Sequence, residues 1–588
     1  MLLANLKKKR TYYCEVEYLA SDGNQWIDTE FVMEAGKVMS FNGNMMWTQS
    51  QGNANFFYGY RSVNTAEYRG DMRAFFVYGA SPAGRVAIRY GVNTDNSTNV
   101  AVSLNTKFNM SFDGDNLKVN GTTYATLTQE YTPANYQSMW LFNCNCTGYY
   151  SADVNHFIGR IYNWQIWSGG VLVRDLIPVL DWDMKPCMYD KVSGQLFYNK
   201  GTGNFTYGRE IHYVDYLEST GTQYIDTGVK LTNNHSVELD YELTNASQSR
   251  AGLFGSLNMT GSNQGRFGSL LSPSNRYLEH GYGSGNDYWQ QGLPDTKRHK
   301  LYQKKNELYF DETLIHTFNT ATFNLDINAY LGNFVYTNYT PALAKYYGSK
   351  WWDGDTLIRE YLPAIDENGV AFMFDRVSHT IYDNAGTGAF KYPIKEIEYI
   401  ASTGTQYINT GVKGKNNLAY KTKVNFTSLS TSGSNGIGGE YLQNASAYIG
   451  MVRANGHFTY LYYNTAIETT KTLYANTDYV IDSVQNSGSQ IVKIDDEVIS
   501  NGTITATFTS TRNVFLFAIC STNDAADVYG SLKMSYCQIL DNGTMIRDYI
   551  PAFYNGEAGM WDKANNVFYP NSGTGTFTTG KIVESLYE

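Results

Sequence analysis

Residues 215–229 begin Asp215-Tyr216-Leu217 and, three residues on, continue Gly221-Thr222-Gln223-Tyr224-Ile225-Asp226-Thr227-Gly228-Val229. The stretch occurs twice more. Glu398-Tyr399-Ile400 leads to Gly404-Thr405-Gln406-Tyr407-Ile408-Asn409-Thr410-Gly411-Val412, and Glu17-Tyr18-Leu19 leads to Gly23-Asn24-Gln25-Trp26-Ile27-Asp28-Thr29. The tyrosines at 18, 216 and 399 lie 198 and 183 residues apart. A second segment recurs downstream of each copy: Arg174-Asp175-Leu176-Ile177-Pro178, Arg359-Glu360-Tyr361-Leu362-Pro363 and Arg547-Asp548-Tyr549-Ile550-Pro551. Asp190, Asp375 and Asp562 follow those prolines by 12, 12 and 11 residues, and Gly-Thr-Gly (201–203, 386–388, 573–575) begins 11 residues after each Asp. Two signatures kept in one order three times mark a tandem array of a single unit. The reading places a basic arm at 1–10, units at 11–208, 211–392 and 395–580, and a tail at 581–588. Such short junctions predict beads that touch, as a semi-rigid rod or a compact cluster.

Within the units the hydrophobic period is two. Val237, Leu239, Tyr241 and Leu243 alternate with Glu238, Asp240, Glu242 and Thr244, the pattern of a strand with one dry and one wet face. Ile161, Asn163, Gln165 and Trp167 alternate with Tyr162, Trp164 and Ile166. Leu196-Phe197-Tyr198, Thr380-Ile381-Tyr382 and Val567-Phe568-Tyr569 each follow a turn and read as second arms of hairpins. Many short strands joined by Gly, Asn and Ser turns predict an all-β chain of three tandem antiparallel β-sandwiches. One short helix is expected over 342–350.

The opening and closing signatures resemble those of laminin-G/concanavalin A-like jelly-roll domains, found in tandem in phage structural proteins and gut-bacterial surface proteins. The first unit departs from the pattern, with Asn24, Trp26 and Glu30 where the others carry Thr, Tyr and Gly. The resemblance implies a structural or adhesion protein on the virion surface of a tailed bacteriophage, as a head or tail fibre or a capsid decoration. It further implies a homo-oligomer, a trimer by analogy with fibres, docked to other virion proteins through the arm and touching host surface polysaccharide. A bacterial surface carbohydrate-binding adhesin is the alternative, and a glycoside hydrolase is a second one.

Composition narrows the field. The 588 residues carry a net charge of −10, only 17% charged residues, and 50 tyrosines among 15% aromatics. Disorder and duplex binding are disfavoured, so no nucleic acid is expected. No apolar run is long enough for membrane insertion. At the N-terminus the basic residues Lys7 to Arg10 follow the apolar ones, the reverse of a signal peptide.

Candidates for chemistry are few. Arg174, Asp190, Arg359, Asp375, Arg547 and Asp562 read as a scaffold signature, an arginine pinning loops and an aspartate capping a turn. Glu238, Asp240 and Glu242 share one strand face and resemble the acid pair of laminarinase-type hydrolases, but the matching stretches Ser40 to Asn44 and Lys421 to Asn425 are not acidic. Tyr282, Asn286, Asp287, Tyr288 and Trp289, and separately His457 with Tyr460, offer aromatic faces and polar groups for a sugar. The Asp113-Gly114-Asp115 and Asp495-Asp496 loops could supply oxygen ligands to Ca2+, or simply turn hairpins. The six cysteines show no zinc-type spacing and read as small core residues. No cofactor and no catalytic residue is expected.

Overall fold

The computed structural model describes residues 10–34, 36–49, 55–60, 72–77, 85–90, 96–126, 137–146, 157–259, 264–272, 277–283, 287–336, 339–521 and 524–585. Among them there is no α-helix, and the strands pair antiparallel except for short parallel pairs such as Ala251 with Thr340. The chain divides into two compact units, Met1–Asp366 with Phe372–Gly388 and Glu584–Glu588, and Glu367–Ala371 with Ala389–Val583. The first unit carries the first two sequence repeats and the second unit the third. Of the arm expected at 1–10, only Arg10 falls among the described residues.

Each repeat is two sheets closed on one core. In the first, Met39–Trp47 and Ile158–Ser168 lie side by side in one sheet, while Ile27–Val32, Ser138–Leu141 and Asn55–Tyr60 are neighbours in the other. Phe41, Met45, Trp164 and Ile166 from the first sheet meet Ile27, Tyr58 and Leu141 from the second in one buried cluster. Trp164 stacks on Phe41 at 5.1 Å and packs against Tyr58 at 4.8 Å. It lies so close over Gly43 that a Cβ there would stand 2.0 Å from the indole. Burial of side chains of this size, each stabilising by roughly 1.5–3 kcal/mol, is what holds the sheets together.

The long strand of each repeat departs from simple alternation. Register slips at Tyr162, between the pairs Ile161↔Met45 and Asn163↔Asn44. It slips at the same place in the second repeat, past Tyr347, and in the third, past Ser535. The bulge returns Ile161, Trp164 and Ile166 to one dry face, where unbroken alternation separates 161 from 164 and 166. The helix expected over 342–350 is a strand, Leu343–Asp353. Ala344, Tyr346, Ser349 and Trp351 point inward along it, and partners on both sides, Leu217–Thr220 and His235–Leu243, satisfy its backbone.

The junction of the first two repeats is itself a strand. Glu210–Tyr213 pairs with Cys14–Val16 on one side and with Thr356–Ile365 on the other, so one sheet runs through both repeats. Lys107 of the first repeat donates to the carbonyls of Ser378 and His379 at 2.9 Å and to Thr380 Oγ1 at 2.6 Å in the second.

Candidate functional site

The recurring segments meet in space. Gln223 Oε1 accepts from the Thr220 amide at 2.7 Å, and its Nε2 donates to the carbonyl of Thr387, inside Gly-Thr-Gly, at 3.1 Å. Gln406 Oε1 accepts from the Thr403 amide at 2.8 Å in the same way, while its Nε2 donates to the carbonyl of Thr576, just past Gly-Thr-Gly, at 3.2 Å. Gln25 accepts from the Asp22 amide and Ser21 Oγ, both at 3.0 Å. Asn199, Asn384 and Asn571 accept the amides of Trp26, Tyr224 and Tyr407, each at 3.1 Å. A Cβ on Gly201, Gly386 or Gly573 would stand 1.9–2.1 Å from the carbonyl oxygen of Asn24, Thr222 or Thr405, so only glycine fits.

Asp190, Asp375 and Asp562 are fully buried. Asp190 accepts from the amides of Asp175 (2.8 Å), Val192 (3.1 Å) and Ser193 (3.3 Å) and from Ser193 Oγ (2.7 Å). Arg174, Arg359 and Arg547 approach these carboxylates at 3.8, 3.6 and 3.5 Å. Burial raises the Asp375 carboxyl, although Ser378, Arg359 and two backbone amides oppose it. These groups point into the protein, not out of it.

Two of the three acids on the stripe of the second repeat are already paired. Asp240 holds Arg298 through two bonds of 2.7 and 2.8 Å, and Glu242 accepts from Lys345 and from Tyr347, both at 2.8 Å. Lys345 beside it holds the Glu242 carboxyl below its ordinary value. A glycosidic acid needs the opposite shift.

The aromatic candidates separate. Tyr282 is buried and donates to the Asn233 carbonyl at 3.0 Å, and Tyr460 is buried with its hydroxyl 3.2 Å from Ser500 Oγ. Neither presents a ring face to a sugar, which corrects their assignment as glycan ligands. Trp289 is half-buried and stacked on His316 at 5.0 Å, with Tyr288 exposed beside it and Asp287 half-buried. Asn286 lies outside the described residues. His457, half-exposed, pairs with Glu468 at 3.2 Å.

Sequence patterning overlooked a better cavity. On the outer face of the sheet formed by Leu418–Phe426, Asp478–Asn486 and Leu532–Asp541 lies a depression of about 650 Å³. Ala419, Val484 and Leu540 form its floor, and Lys421, Asp482 and Gln538 offer polar groups around it. The second repeat has a depression of about 380 Å³ with Ser236, Tyr302, Lys304 and Trp352. The two coincide in register, since Ser236 opposes Trp352 as Ala419 opposes Leu540, and Glu238 opposes Tyr302 as Lys421 opposes Asp482. Tyr302 and Trp352 meet edge to face at 5.6 Å. The same register positions of the first repeat carry Ser40, Ser111 and Trp167. A small apolar floor ringed by amides and charges suits a pyranose, whose faces are C–H and whose rim is hydroxyl.

Asp113 is occupied by its own loop, and Asp495 by the neighbouring strand. Asp113 accepts from the amides of Asp115 (3.1 Å) and Asn116 (2.7 Å) and from Lys118 (2.9 Å); against the pull of burial, these donors hold its carboxyl well below its ordinary value. Asp495 accepts from the Val480 amide at 2.8 Å.

No family model matches the chain, and no curated protein sequence matches it. Among solved structures it is similar to the LG1-3 region of the laminin alpha2 chain, at 11% identity over 97% of this chain and 100% of that chain, TM-score 0.27. It is similar to a Bacteroides ovatus protein assigned to carbohydrate binding, at 12% identity over 60% of this chain and 92% of that chain, TM-score 0.25. It is also similar to the NanB sialidase of Streptococcus pneumoniae, at 8% identity over 95% and 99%, TM-score 0.19. At these scores the likeness says nothing about ligand or activity, and the sandwich fold stands on the sheets and cores described above.

Proposed function

We propose that this chain is a non-enzymatic binding and assembly protein whose outer sheet faces take up carbohydrate. The observation that supports this most directly is the recurrence of one outer-face depression at one register in the second and third repeats. A single shallow site of this kind binds weakly, and several in one chain gain avidity without any strong site. The setting we infer is the virion of a tailed bacteriophage, where the protein serves as a head or tail fibre or a capsid decoration and meets host surface polysaccharide. Three copies of a tyrosine-rich, low-charge module in one chain fit such a surface. In this reading the protein assembles as a homo-oligomer, a trimer by analogy, and docks on other virion proteins through residues 1–10.

The test is polysaccharide binding by the whole chain. Trp352→Ala and Leu540→Asp lower affinity about tenfold each, corresponding to about 1.4 kcal/mol per site, and each variant still unfolds in a cooperative transition. Full binding in the double variant refutes the groove assignment. Sugar release abolished by Glu238→Gln or Glu242→Gln refutes the non-enzymatic reading. Co-purification with particles tests the virion setting, and display on a bacterial surface instead favours the adhesin.

A further inference from the structure

Where the first two repeats join, a titratable cluster is buried that no repeat signature includes. Strand Cys14–Val16 pairs antiparallel with Glu210–Tyr213 through Glu15↔Ile211 and Val16↔Glu210. The same register sets Cys14 opposite His212, and Glu210, two residues from His212, shares its face. The Cys14 thiol, a Glu210 carboxylate oxygen and a His212 ring nitrogen lie within 4.8 Å of one another, and all three residues are buried. His212 Nε2 is 2.8 Å from Glu210 Oε2, and its Nδ1 is 2.8 Å from Glu584 Oε1. Glu584 belongs to the same compact unit and is also bridged by Arg10 at 3.1 Å.

We propose that Cys14, Glu210 and His212 bind a divalent cation of the zinc class, with Glu584 orienting the His212 ring. Thiolate, imidazole and carboxylate are the donor set of zinc, not of calcium or magnesium. A tetrahedral zinc with bonds of about 2.0–2.3 Å sets its ligand atoms about 3.3–3.8 Å apart, close to the spacing within 4.8 Å that the three atoms already have. A carboxylate on the far ring nitrogen is the usual outer partner of a ligating histidine; it fixes Nδ1 as the protonated nitrogen and leaves Nε2 for the metal. The ion enters as the Cys14 thiol proton leaves, together with any proton on His212 Nε2, while Nδ1–H stays bonded to Glu584. The metal replaces protons in a buried cluster that otherwise gathers two glutamates and a thiol around one arginine and one imidazole. It fastens the opening strand of the first repeat to the strand it shares with the second.

The experiment uses the full chain, stripped of metal and kept reduced, and titrates it with Co2+. We expect one ion per chain, a thiolate-to-cobalt charge-transfer band with tetrahedral visible bands, displacement by Zn2+, and a thermal transition raised by several degrees. Cys14→Ser removes the charge-transfer band, and His212→Ala removes stoichiometric binding. Because either variant could fail to fold, X-ray absorption of the wild-type zinc form is the second readout, with one sulfur among nitrogen and oxygen neighbours. A band that survives Cys14→Ser, a sulfur-free shell, or no binding at micromolar metal overturns the proposal and leaves a proton-linked ion cluster in its place.

Discussion

Replacing Glu440 by Gln stabilises the second unit, and the gain grows with pH. Glu440 ends the strand Asn435–Glu440 and is fully buried. One carboxylate oxygen accepts the Ala447 amide at 3.0 Å and the other accepts Ser510 Oγ at 2.8 Å. Burial pushes the carboxyl from 4.5 up to about 8, against those two hydrogen bonds and the charges of Arg512 and Lys413. Tyr420, Tyr448 and Cys520, the other titratable groups around it, are neutral at pH 7 and offer no countercharge. The sign follows from a folded value raised above the unfolded one. Below pH 4.5 both states hold the proton and nothing is lost. From pH 4.5 to 8 the unfolded chain ionises while the folded one does not, and stability falls by up to about 1.36 kcal/mol per pH unit. Over the roughly 2.5 units from 4.5 to 7 the ceiling is about 3.4 kcal/mol, and relaxation of the site brings the expected loss to roughly 2–3 kcal/mol. Glutamine keeps an acceptor for Ala447 and offers its amide to Ser510, so the variant escapes the loss. Hydrogen exchange by mass spectrometry on the strand 435–440 reads the opening free energy of this unit from pH 5 to 8. A difference between variant and wild type that stays flat over that range would refute the reasoning.

Three further outcomes follow from the same geometry. Asp562→Ala strips the acceptor from the amides of Asp548 and Ala564 and from Asn565 Nδ2 and leaves Arg547 without its carboxylate, so it costs about 3–5 kcal/mol in denaturant unfolding, whereas exposed Asp115→Ala costs under about 0.5 kcal/mol. Glu30 stands at φ 53° where the other repeats place Gly228 and Gly411 at 67°, so Glu30→Gly raises the stability of the first unit by roughly 0.5–1 kcal/mol and Gly228→Ala lowers it by about 1 kcal/mol, both read by calorimetry. Trp164→Ala, which empties the centre of the first core, costs about 3–5 kcal/mol by the same measurement.

What was legible in the sequence was whatever depends on period and recurrence. The strand Val237 to Leu243 and the hairpin arm Leu196–Tyr198 appear as their alternation and turns dictate. The paired signatures meet in space, because the bonds from Gln223 to Thr387 and from Tyr224 to Asn384 form only if both ends of a repeat come together. The bulges at 162, 347 and 535 were not legible, since an extra residue between two strands leaves no mark on either alone. For the same reason the short apolar stretch after 342 carries no mark that tells strand from helix, and its two partner strands decide it. Tyr282 and Tyr460 looked like sugar platforms because composition cannot say which side of a sheet a tyrosine faces. The outer-face depressions are set by residues more than 50 positions apart, such as Ser236 and Tyr302, and only register brings these together. The cluster of Cys14 with His212 was hidden by nearly 200 residues of intervening chain.

The three repeats also sort their own residues by role. Positions that knit a repeat hold their chemistry each time: an arginine facing a buried aspartate, a glutamine closing the opening loop, a glycine under a carbonyl. Positions lining the outer depression do so only in part: Ser40 matches Ser236 and Trp167 matches Trp352, but the third repeat carries Ala419 and Leu540 there. Tyr302 of the second repeat is Asp482 in the third and Ser111 in the first, and Trp352 becomes Leu540 and Trp167. A scaffold requirement acts equally on every copy, since each must bury the same core, whereas a ligand requirement acts on one face at a time. Variation at one register inside an otherwise repeated frame is therefore what separate binding preferences would leave. The aromatic groove of the second repeat and the aliphatic, acid-and-lysine groove of the third should then prefer different saccharides. On an array of neutral and charged glycans, Trp352→Ala should remove one set of ligands and Leu540→Asp another; loss of the same set by both would mean that the two depressions share one preference and would refute the argument.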